Sequence, residues 1–89
     1  MGKGLEAVKH ALKQEFEGIE IHEEVDTVNS EFILNFEVET LPYQVRVSMA
    51  YDEDYGSGQV DTDLTKLPIM LLRSGSGKVR VFRRGMSSI

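Results

Sequence analysis

Polar and apolar residues alternate most regularly between Glu31 and Tyr51. Phe32, Leu34, Phe36 and Val38 interleave with Ile33, Asn35, Glu37 and Glu39. After Thr40-Leu41-Pro42, Tyr43, Val45, Val47 and Met49 interleave with Gln44, Arg46 and Ser48. Successive strand side chains point to opposite faces, so this period of two predicts a half-buried antiparallel hairpin. Pro42 has no amide hydrogen to donate and is expected at the turn or the first position of its strand.

Upstream, Leu5, Val8, Leu12, Phe16 and Ile19 recur at helical spacing, while Glu6, His10, Lys13, Gln14 and Glu17 fall on the other side. The pattern predicts an amphipathic helix over 4–17 with Gly18 as its left-handed terminator and His10 facing water. Ile19, Ile21 and Val25 alternate with Glu20, His22 and Glu24, which predicts a strand over 19–25. Asp26-Thr27-Val28-Asn29-Ser30 then supplies turn chemistry. Lys78–Arg84 reads as a last strand with Val79 and Val81 inward and Lys78, Arg80, Phe82 and Arg84 outward.

Leu67-Pro68-Ile69-Met70-Leu71-Leu72 has no alternation at all. As a strand it would be apolar on both faces of a thin sheet. Leu and Met favour helix, and Pro68 fits a first turn, so a short helix is the expectation. The alternative is a strand joined to 78–84 by a Ser74-Gly75-Ser76-Gly77 hairpin loop. The fold class expected is α+β in two layers, in the order α-β-β-β-(short α or β)-β. An N-terminal amphipathic helix packs on one face of an antiparallel sheet of about four strands. Residues 1–85 form a single domain, and 86–89 a frayed tail.

Length and composition set limits on these elements. Eighty-nine residues leave room for one core. The absence of cysteine removes disulfides, thiolate metal sites and a cysteine nucleophile. The charged N-terminal stretch is neither a signal peptide nor a membrane span, so the expected location is the cytoplasm, with no membrane partner. The net charge of −5 is uneven: residues 1–65 hold all fifteen acids and four cations, a net of −11, whereas 66–89 hold six cations and no acid.

The chemistry on offer is sparse. Asp52, Asp54 and Asp63 share positions with a calcium loop, but Gly56, Ser57 and Asp63 stand where an EF-hand needs Asp or Asn, Gly and Glu; residues 52–63 read as a solvated loop. Gly75-Ser76-Gly77-Lys78 lacks the earlier Gly of a phosphate loop, where Leu72 stands, and Val79 replaces its Ser or Thr. His22 with Glu20, Glu24 and Glu37 has no metal-ligand spacing. No catalytic residue, cofactor or metal is therefore expected, and the chain reads as a non-enzymatic binding domain. Its partner would be another protein or itself, as a homo-dimer, through Leu67, Ile69, Met70, Leu71 and Leu72. The alternative is nucleic acid on the basic strand, through Lys78, Arg80, Phe82, Arg83 and Arg84. The sheet lacks the stacking aromatics of an RNA-binding face, and net acidity opposes phosphate.

Overall fold

Strand β2 (Glu31–Val38) pairs antiparallel with β3 (Leu41–Ser48), placing Leu34 beside Val45 and Phe36 beside Tyr43. The period-two hairpin is thus present, and its apolar side carries the core. In the computed structural model, which describes residues 2–60 and 62–89, the elements around this hairpin follow in chain order. They are α1 (Lys3–Glu15), β1 (His22–Asp26), β2, β3, α2 (Met49–Asp54), α3 (Leu67–Arg73), β4 (Lys78–Phe82) and β5 (Gly85–Ser88). The strands lie in sequence order, β1-β2-β3-β4-β5. Helix α1 contributes Leu5, Val8 and Leu12, all buried, to one core with Leu34, Phe36, Val45, Val47, Val79 and Val81. The α+β two-layer arrangement holds. No helix among the described residues is long and apolar enough to cross a membrane.

Several details differ from expectation. Among the described residues the sheet has five strands and is mixed: β4 runs parallel to β3, with Val45 beside Val79 and Val47 beside Val81. A parallel neighbour needs a crossover of a dozen or more residues, and 49–77 provides it through α2 and α3. Residues 86–89 are no frayed tail, because Met86, Ser87 and Ser88 pair with β4 in β5. Gly85, at φ 143°, accepts the backbone that closes this short Arg83-Arg84 link. The first strand begins at His22, although Ile19 and Ile21 still pack against the core. The acidic segment begins as helix: Ser48 Oγ caps α2 by accepting from the amides of Ala50 and Tyr51, and Tyr51 joins the core.

Asp52, on α2, caps α1 from a distance. Its carboxylate accepts the Leu5 amide at 2.7 Å and the Gly2 amide at 3.0 Å, at a helix start with no local side-chain cap. Unpaired first-turn amides and the helix dipole both favour a carboxylate there.

Two turns carry predictions. Val38 and Leu41 are register partners, so Glu39 and Thr40 form a two-residue link, with φ of 51° and 70°. That left-handed pair is the type I′ geometry that suits Asn-Gly, and a β-branched Thr is strained in it. Combining Glu39→Asn with Thr40→Gly is expected to raise stability by about 1 kcal/mol, read as a higher melting temperature. At the other hairpin, the Asn29 side chain donates to Asp26 at 2.8 Å. The amides of Asn29 and Val28 and the Arg46 guanidinium add to it. These bonds, Asn29 first, hold the Asp26 carboxyl below its ordinary range. A depressed folded-state value stabilises the fold above about pH 4 and loses that contribution as pH falls through the lower value. Carbon-detected NMR titration should find Asp26 titrating low, and Asn29→Ala should move it back up.

Candidate functional site

Leu67–Arg73 is a helix, and its period divides the apolar segment in two. Leu67, Pro68 and Leu71 are buried, Met70 is half-buried, and Ile69 and Leu72 are 53% and 58% exposed. Pro68 sits in the first turn, where a missing amide hydrogen costs nothing. Asp63 sets up the approach by accepting from the Thr65 amide at 3.0 Å and the Thr65 hydroxyl at 2.6 Å. Those two bonds, the hydroxyl first, hold the Asp63 carboxyl below its ordinary range. The five candidate interaction residues are therefore not one surface: Leu67 and Leu71 belong to the core, and Ile69, Met70 and Leu72 remain.

Between α3 and β5 lies a cleft of about 450 Å³ lined by Lys66, Ile69, Met70, Arg73, Ser74 and Ser88. Ser74 and Ser88 of its lining belong to a cluster of hydrogen-bonded serines. Ser88 Oγ donates to Ser74 Oγ at 2.8 Å, Ser74 and Ser76 hydroxyls lie 3.0 Å apart, and Ser76 Oγ donates to the Ile89 carbonyl at 2.6 Å. The Ile89 amide in turn reaches the Lys78 carbonyl at 2.9 Å. The end of β5 is thereby tied to the turn that follows α3, which sets the spacing of the two cleft walls. Lys66 and Arg73 stand at its rim without an ion-pair partner among the described residues, although Lys66 acts on the Asp63 carboxylate at longer range.

The basic strand is divided too. Arg80 Nε donates to Glu31 at 2.5 Å, and Arg83 meets Asp54 at 3.0 Å and Gln59 at 3.2 Å. Lys78, Phe82 and Arg84 are exposed. The acids of the chain thus occupy part of the cationic surface that a phosphate would need.

Other sequence candidates scatter. His22 lies on the open sheet face beside Asn35 and shares a second cleft, of about 390 Å³, with Glu20, Glu37, Phe36 and Tyr43. Glu24 is engaged by Asn35 at 3.5 Å. No three His, Asp or Glu among the described residues converge on a metal position. Asp52, Asp54 and Asp63 serve three separate partners: the start of α1, Arg83 and Thr65. Sequence reasoning missed Ser74, Ser88 and the strand beside them. Four residues containing two serines carry no usable period, and the pairing of Met86 with Val81 is visible only in the sheet. No protein family, curated protein or solved structure matches this chain.

Proposed function

We propose that this chain is a small, non-enzymatic, cytoplasmic protein-binding domain that receives its partner on the outer side of α3. One observation carries the reading: Ile69 and Leu72 project more than half exposed from a helix whose opposite side is fully buried, next to an apolar cleft. Covering the remaining surface of both would contribute about 2–3 kcal/mol, enough to change affinity by a factor of about 30 to 150. Since neither residue belongs to the core, charge at either position should change stability by less than about 0.5 kcal/mol.

The experiment places a photo-crosslinking residue at Ile69, at Leu72 or, as a control, at exposed His10, in the full chain in cells. A discrete protein adduct at 69 and 72, absent at 10 and abolished by Ile69→Glu or Leu72→Glu at the other position, is the expected result. Equal labelling at all three, or none, would overturn the reading. Mixed-sequence DNA and RNA titrated at low salt test the runner-up, nucleic acid at Lys78, Arg80, Phe82, Arg83 and Arg84. Binding that weakens steeply with salt would favour it. The pairing of Arg80 and Arg83 with acids of this chain argues for no binding.

A further inference from the structure

We infer that the occupant of the α3–β5 cleft is an extended, acidic segment of a partner polypeptide that adds to the sheet as a sixth strand. The inference rests on the protein-binding reading and specifies its mode. Strand β5 is an edge of the sheet, and no other strand among the described residues pairs with its outer side. Ser87 opposes Arg80, Gly85 opposes Phe82, and the Ile89 amide donates to Lys78, so Gly85, Ser87 and Ile89 turn their backbone groups toward β4. Because an antiparallel ladder alternates, the N–H and C=O of Met86 and Ser88 point away from the sheet. An added strand could use all four groups. Its residues opposite Met86 and Ser88 would share their side of the sheet, which is the side covered by α3, and would enter the cleft against Ile69 and Met70.

The two edges of the sheet are unlike. Strand β1 carries Glu23, Glu24 and Asp26, and Glu23 turns inward to pair with Lys9, a feature that discourages strand addition. Strand β5 contains no charged residue and no proline. Its four-residue length limits the hydrogen bonds available, so side chains must supply part of the selectivity.

Charge selects among occupants. Two copies joined β5 to β5 would bring together two segments, 66–89, with six cations each and no acid. An acidic strand instead meets Lys66 and Arg73, which lie at opposite ends of α3, about 10 Å apart along its axis. An extended chain covers that distance in about three residues. The overall charge of −5 opposes such a partner at long range, but screening limits that field to about 8 Å, and the cations at the cleft act in contact.

The test selects phage-displayed random twelve-residue peptides on the full chain and synthesises the enriched sequences. Enriched peptides are expected to carry Asp or Glu among alternating aliphatic residues. They should perturb the Met86 and Ser88 amides in NMR spectra and slow their hydrogen exchange. Lys66→Glu with Arg73→Glu should weaken binding at least tenfold. N-methylation of alternate peptide amides, which leaves the protein untouched, should abolish binding for one set of positions and spare the other. Basic winners, indifference to N-methylation or a silent β5 would overturn the sixth strand. If α3 amides alone respond, the binding surface stands without it; if no peptide is enriched and no crosslink forms, both readings fall. A concentration-dependent dimer abolished by Met86→Pro would replace the acidic partner with a second copy.

Discussion

Gly4→Ala is expected to destabilise the fold by about 2–3 kcal/mol, although alanine is the better helix former by up to about 1 kcal/mol. A Cβ at position 4 would lie 2.8 Å from the Asp52 Cα and 3.1 Å from two ring carbons of the buried Tyr51. Backbone cannot yield as a flexible side-chain end can, so α1 and α2 must move apart. That separation stretches the bonds from Asp52 to the Leu5 and Gly2 amides, and losing a cap costs about 1–2 kcal/mol by itself. In a domain of this size each kcal/mol lowers the melting temperature by about 4–8 °C, giving a fall of about 10–20 °C. Gly75→Ala is the control, with no atom within 4 Å of its Cβ and an ordinary φ. A melting temperature for Gly4→Ala at or above that of the parent would contradict the close α1–α2 contact.

Glu31→Ala should cost about 2–3 kcal/mol in urea unfolding, with an unchanged slope. The Glu31 side chain is 6% exposed on the face of the sheet away from the helices. It accepts Arg46 at 3.3 Å and Arg80 at 2.5 Å, joining β2 to β3 and to the parallel strand β4. Arg46 and Arg80 are themselves register partners. Without the carboxylate, two like charges stand side by side in the ladder. Both arginines keep some access to water, which holds the cost below that of a fully buried pair. Glu31→Gln, which retains one acceptor but no charge, should lose about half as much. Part of the loss should survive in 1 M salt, because the Glu31 carboxylate is enclosed, while the share from the 42% exposed Arg80 is screened. A change below about 0.5 kcal/mol would mean that the three-strand bridge contributes little.

The same bridge explains why the uneven charge along the chain is a poor guide to nucleic acid. Cations of the last 24 residues and acids of the first 65 are distant in sequence but adjacent in the sheet, as Arg80 and Glu31 illustrate. The candidate site was half legible for a related reason. An excess of apolar residues at 67–72 signalled that some of them needed cover, but Leu and Met fit helix or strand. Only the helix separates Leu67 and Leu71 from Ile69 and Leu72.

The sequence by itself determined the inner and outer sides of α1, β2 and β3, because side-chain direction follows from a local backbone period of 3.6 or 2. Leu5, Val8, Leu12, Leu34, Val45 and Val47 are buried where those periods place them. Tertiary structure alone decided the parallel placement of β4, the recruitment of Met86–Ser88 into the sheet and the use of Asp52 as a cap for a helix 47 residues away. The parallel pairing and the distant cap join segments far apart in the chain, and the local β4–β5 pairing uses backbone groups alone; backbone donors and acceptors are the same at every non-proline residue and so leave no mark in the sequence.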